Sequence, residues 1–512
     1  MTLFENATVL TMVPGAPVAS ALAVRDGRIA AVGAAETLRG EAREVVDLAG
    51  RTVLPGFVDP HNHFAVGALE TFWADCRTPP LTTIAEIQEA LRVAARSTPP
   101  GLWVRGVGYH HLRLTERRHP TREELDEAVP DRPALLLHFS HHQAVASSRA
   151  LAAVGIGRGT PDPPGGAIGR DRSGAPTGLL FERAMAAAEG ASRAGWQERF
   201  VEVAAAASRR FAAAGLTTVQ DAAVGPGLER CYAEAERAGA LAIRVERMVV
   251  SEAGWFEPPW AEARSPGAGR TLKVFADGGY RCAMRLPRDG GEVRSGFLFY
   301  EADELAALLV TAWRSGWRVT CHAIGNLGVE TAVAAAEAAL GRAPEGRGRL
   351  RLDHAMFVTP ALIARIAALG LPVVSQPSFL YDQGAPPLAL PPDLRCRPFR
   401  SLGAAGIRQA FSSDYPCGSV APLVGIAAAV TRRDRDGHVA DPDEAVSVEH
   451  ALAAYTIEAA RACGLAGEVG SLEAGKRADF VVLDGNPLTV AADALPRLRI
   501  VETRVAGRPV WP

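Results

Sequence analysis

The chain opens with short stretches in which apolar and polar positions alternate: TLFENATVLTM, SALAVRDGRIAAVG and REVVDLAGRTVLPG, punctuated by turn residues at Arg25-Asp26-Gly27 and Ala49-Gly50. A period of two places successive side chains on opposite faces of an extended strand, so these read as half-buried β-strands. The same texture returns in GSLEAGKRADFVVLDGNPL and RIVETRVAGRPVWP. Isolated strands at either end cannot bury their apolar faces alone. This predicts one small composite β-sandwich domain assembled from residues 1–54 and 466–512.

Between the ends the pattern changes. TVLPGFVDPHNHF, LTTVQDAA, IRVERMVV, TLKVFADGG, WRVTCHAIGN, RLRLDHAMFV, LPVVSQPSF and IRQAFSSDYP are nearly continuous apolar runs, separated by Ala-rich helix formers such as VEVAAAASRRFAAAG. Strands apolar on both faces belong to a parallel sheet covered by helices. Eight such units predict an α/β fold, a closed (β/α)8 TIM-like barrel over residues 55–465. Residues 80–210 break the rhythm after the first strand with aromatic and His-rich pieces, WVRGVGYHH and HFSHHQ. They are expected to form an insertion over the barrel mouth, a substrate lid.

Composition narrows the partners. The 512 residues exceed what one small core needs, and 48% hydrophobic with 22% charged residues is ordinary for a globular protein. A formal charge of -2 gives no electrostatic footprint for nucleic acid or an anionic membrane, so a small-molecule substrate is the expected partner, with a homodimer as the expected assembly. The first twenty residues lack a basic start and a continuous apolar core, which predicts a cytoplasmic protein. Seven cysteines without C-x-x-C pairs suit reduced thiols better than a disulfide framework.

The candidate chemistry lies at strand ends. His61 and His63 are two apart after an apolar strand, so their side chains fall on the same side and can converge on one ion. His322, His354 and Asp414 then end three further predicted strands, where barrel enzymes keep their chemistry. Imidazole and carboxylate are common ligands of zinc and related metals. Each residue taken singly is more often a satisfied polar group; five together at the ends of one barrel's strands indicate a metal site. Ser412 and Ser413 stand beside Asp414, but no G-x-S-x-G accompanies them. Trp103, Tyr109, Phe139, Phe379, Tyr381 and Tyr415 are expected to include pocket walls, although aromatic residues are more often plain core.

The H-x-H after strand one, single histidines after strands five and six and the aspartate after strand eight resemble the amidohydrolase superfamily. GSLEAGKRADFVVLD is similar to a run in that superfamily's composite β domain. WVRGVGYHH, HHQAVASSRAL, GAPTGLLFERA, LKVFADGG, HAIGN and VSVEHALAAYT narrow the likeness to its N-substituted formamide deformylase-like branch, amidohydrolase family 3. The resemblance implies a metal-dependent hydrolase that cleaves an amide-type C–N bond with an activated water, using one or two divalent metals, expected to be Zn2+. It implies that Lys273 carries CO2 as a carbamate bridging two metals, with an unmodified lysine and one metal as the alternative. Asp414 would be the general base, and the second metal or His142 on the inserted segment would polarise the carbonyl. Asn326 and Ser147 depart from the branch, where aspartate and asparagine are usual, and Tyr415-Pro416 follows Asp414 unusually; these bear on substrate. A deaminase is the weaker alternative because His322-Ala-Ile-Gly-Asn supplies no glutamate after the histidine. A cyclic amide or ester hydrolase stays open. A non-catalytic scaffold would have lost ligands that are present here.

Overall fold

The computed structural model describes residues 1–250, 271–288, 291–386 and 390–512. All eight apolar runs form strands of one parallel sheet whose spatial order follows the chain. They are Phe57–Asn62, Leu216–Val224, Arg244–Val249, Thr271–Phe275, Arg318–Ala323, Leu350–His354, Val373–Ser375 and Gln409–Phe411. Each pairs in parallel with its chain neighbour, Lys273 standing opposite Thr320 and His322 opposite Asp353. Residues just beyond the two outer strands join them: Asp414 N donates to His61 O (2.9 Å) and His63 N to Tyr415 O (2.8 Å). The sheet therefore curls into an eight-stranded barrel whose seam lies at the metal-site candidates. Strands such as Phe57–Asn62 and Leu350–His354 are buried along their whole length, as expected of a barrel wall packed on both faces.

Helices cover the outside. Leu305, Leu309 and Trp313 of helix Ala302–Arg314 and Val329, Val333 and Ala336 of helix Asn326–Arg342 share one apolar cluster with the fourth to sixth barrel strands. Spacings of three and four residues place these side chains on one helix face.

Residues from both ends meet in a further six-stranded sheet. Phe480–Leu483 pairs antiparallel with Thr52–Pro55, which pairs in parallel with Thr8–Leu10. A four-stranded sheet of Thr2–Glu5, Ala21–Arg25, Arg28–Gly33 and Glu44–Asp47 shares its apolar side chains, and Phe4 meets Phe480 edge-on at 5.1 Å.

A second six-stranded sheet lies, in chain order, between the first two barrel strands. Its spatial order is Gly166–Arg170, Pro176–Glu182, Gln143–Ala146, Ala134–His138, Val104–Tyr109 and Ala74–Asp75. It starts at Ala74, upstream of Pro80, because a two-residue strand is too short to show a period. All seven cysteines are free thiols. Among the described residues no helix is long and apolar enough to cross a membrane.

Candidate active site at the barrel mouth

The strand ends bring five ligand candidates together. His61 and His63 each direct Nε2 to within 3.2 Å of Asp414 Oδ1. The His354 ring lies 4.9 Å from His61 and 4.4 Å from His322, centroid to centroid. Neighbours fix which nitrogen is presented. His61 Nδ1 donates to Asp353 Oδ2 (2.7 Å), which leaves Nε2 with its lone pair towards Asp414. His354 Nδ1 donates to Gln376 Oε1 (2.8 Å), an oxygen oriented because Gln376 Nε2 donates to Val374 O and Ser412 Oγ. His354 Nε2 is buried and has no hydrogen-bond partner among the described residues. A buried lone pair left in this state is costly, and a cation satisfies it. The donor set fits a divalent metal ion: imidazoles, a carboxylate and N···O separations of 3.2 Å, which is near the spacing of two ligands on one tetrahedral ion.

Lys273 is fully buried, with Nζ 3.3 Å from Asp353 Oδ2 and 3.5 Å from His61 Nε2. Burial lowers its pKa, against the opposing pull of Asp353 and Asp414. His142, directly before strand Gln143–Ala146, reaches the same site, its ring 5.4 Å from His322. Its Nδ1 meets Glu182 Oε2 at 2.7 Å, and Gly279 N donates to Glu182 Oε1. The ring packs so closely over Gly279 that a Cβ there would stand 2.1 Å from it. Burial opposes charging of His142, but Glu182 outweighs it and raises the pKa.

The remaining electrostatics follow burial and pairing. Burial pushes His354 down to about 3 and holds His322 well below the usual histidine range. Burial disfavours the Asp414 carboxylate, yet His61 and His63 hold it well below its ordinary value. Asp353 is likewise held ionised against burial by Arg351, Lys273 and His61.

Several contributors were not visible in the sequence. Asp353 accepts from His61, Lys273, Thr320 and Arg351, and Gln376 and Glu182 orient His354 and His142. Asp277, pushed by burial up to about 7, accepts from the backbone N–H groups of Ala283, Ile324 and Gly325 around His322. The signal for Glu182 was its place in GAPTGLLFERA; that for Asp353 was its place beside His354.

The aromatic expectations divide. Phe379 lies parallel to the His354 ring at 6.3 Å, and Phe139 and Tyr415 line a cavity of about 320 Å3 with His110, His141 and Cys417. Tyr381 packs under Arg435. Trp103 and Tyr109 are buried: Trp103 O accepts from Trp196, and the fully buried Tyr109 turns its hydroxyl to His119. The two family departures also have structural roles. Ser147 caps helix Ser148–Ala153, and Asn326 exchanges two hydrogen bonds with the Arg285 backbone.

A barrel whose mouth brings His61, His63 and Asp414 together, with the His354 and His322 rings beside them, is the framework of a metal-dependent hydrolase. Residues 44–511 match the amidohydrolase family, and the chain belongs to it, an enzyme class that acts on C–N bonds other than peptide bonds. It is 37% identical to an N-substituted formamide deformylase of Arthrobacter pascens, across 98% of this chain and 96% of that protein. The crystal structure of an uncharacterized metal-dependent hydrolase from Pyrococcus horikoshii OT3 superposes with a TM-score of 0.74 at 25% identity, covering 96% of this chain and 99% of that one. Atrazine chlorohydrolase TrzN from Arthrobacter aurescens TC1, 16% identical, shares the fold at a TM-score of 0.55, covering 99% and 95%.

Proposed function

We propose that this chain hydrolyses the amide bond of an N-substituted formamide or a related small amide. The observation that carries the reading is the convergence of His61, His63, His322, His354 and Asp414, with His354 Nε2 buried and unsatisfied. The similarity to a formamide deformylase along nearly the whole chain points to the substrate class. The five residues would hold Zn2+, and a carbamate on Lys273 would bridge it to a second ion. The buried, pKa-lowered amine favours the neutral form from which a carbamate grows. Bound metal supplies the acidity that makes water a nucleophile near neutral pH. Asp414, ionised at neutral pH, accepts the proton of the attacking water and delivers it to the leaving nitrogen. His142, held by Glu182, presents its other nitrogen to the carbonyl oxygen and stabilises the negative charge that develops there.

We further take residues 80–210 as the lid, since Phe139 and His110 line the same cavity as Tyr415, beside Asp414. Residues 1–54 and 466–512 are taken as the composite β-sandwich domain, with 55–465 as the barrel. The test combines metal analysis of protein purified without chelator with a panel of N-formyl, N-acetyl, cyclic amide and ester substrates. N-formyl amides should turn over fastest, and His61→Ala with His63→Ala should abolish metal content and turnover together. A metal-free double variant with full activity would overturn the reading; a preference for esters or cyclic amides would redirect the substrate class.

A further inference from the structure

Six of the twelve histidines lie between Pro80 and Arg210, more than the barrel mouth uses. Four of them, His110, His111, His119 and His138, gather at the ends of strands Val104–Tyr109 and Ala134–His138. One nitrogen each from His110, His111 and His138 lies within 4.8 Å of the other two. His111 Nδ1 and His138 Nε2 are 3.2 Å apart. Two nitrogens at about 2.0–2.1 Å from a tetrahedral ion stand roughly 3.3 Å apart, so this pair already has the spacing of ligands to one cation. His138 Nδ1 meets Ser140 Oγ at 2.9 Å and accepts from Ser140 N at 3.4 Å, which anchors the ring and leaves Nε2 facing the cluster. His119 stacks on His111 at 3.9 Å and meets Tyr109 O–H, backing the site with a second layer.

We propose that His110, His111 and His138 form a second metal site, separate from the barrel centre, that takes one late first-row divalent cation, Cu2+ or Zn2+. Its donors are imidazoles only, which favours nitrogen-preferring metals over Mg2+ and Ca2+. Burial and mutual proximity keep the rings neutral at physiological pH, with His110 down to about 4 and His119 to about 3. Arg281 near His111 and His119, and Arg113 near His110, oppose a cation and make this the weaker of the two sites. The ion would tie together two strand ends beside the cavity that His110 lines.

The test uses the full chain without a histidine tag. Equilibrium dialysis against Cu2+, read by elemental analysis, should leave one tightly held Cu2+ per chain on the His61→Ala/His63→Ala variant. Zn2+ in large excess should compete with it and Mg2+ should not, and its paramagnetic resonance spectrum should show nitrogen coupling. His110→Ala/His111→Ala should lose that ion and keep the barrel metal, which separates failure here from failure of the barrel reading. Loss of even an outer partner costs a metal site about 10–100-fold. The milder variant His111→Gln should therefore weaken Cu2+ binding at least as much, with its melting temperature as the check on folding. A barrel variant that holds no Cu2+, or His111→Gln with unchanged affinity, would overturn the proposal.

Discussion

His354 has φ 77° and Asp414 φ 51°, left-handed values that ordinary side chains rarely adopt and that cost on the order of 1–3 kcal/mol each. In a regular strand Asp353 and His354 would face opposite sides. The turn of the backbone at His354 lets both serve one site, which is why the histidine was legible in the sequence and its acidic neighbour was not. Asp353 fixes the His61 tautomer, so Asp353→Asn should weaken metal binding about 10–100-fold. Competition with a chromophoric chelator measures this, and equal affinity would show that Asp353 does not orient the ligand. Lys273→Ala should abolish turnover, with partial recovery on adding a short carboxylic acid that stands in for the proposed carbamate. kcat/KM measured with and without the acid decides the point: a fully active Lys273→Ala enzyme would exclude a bridging carbamate.

Strand Val104–Tyr109 and helix Ala186–Arg193 are joined by a buried ion pair. Arg105 Nη2 donates to both Glu189 oxygens at 3.0 Å, and its guanidinium lies 4.1 Å from the Trp73 ring centroid. Removing one partner strands the other charge away from water, so Glu189→Gln should cost about 3–5 kcal/mol of stability. Burial would raise the Glu189 pKa, but Arg105 and Arg193 outweigh it and bring it below the ordinary 4.5. A depressed carboxylate stabilises the fold fully above its unfolded pKa and loses that contribution as pH falls through the folded value. Wild type should therefore lose stability below about pH 4.5 more steeply than Glu189→Gln. Urea unfolding of both proteins at pH 7 and pH 4 tests this; parallel losses would assign the acid sensitivity elsewhere. The pair was hidden in the sequence because Arg105 sits in an apolar strand and its partner 84 residues away.

For the molecule as a whole, the barrel was legible because eight apolar runs recur with helix formers between them and because their spatial order is their chain order. Sequence alone could not give the seam, which rests on a few bonds between distant strand ends. A ligand at roughly 100 times its dissociation constant stabilises the folded state by about 2.7 kcal/mol. Chelator-treated protein should thus melt at a lower temperature and recover when Zn2+ is returned; identical melting curves would show that the site holds no ion. The seam also sets a timetable. Ser413 Oγ donates to Asp59 Oδ2 from 354 positions further along the chain, and His61 and Asp414 meet at the same place. At a synthesis rate of roughly 5–20 residues per second, about 20–70 s separate the appearance of the first ligand candidates from that of the last. During that interval the early histidines stand without their late partners, so the proposed site is completed only after the eighth strand has emerged.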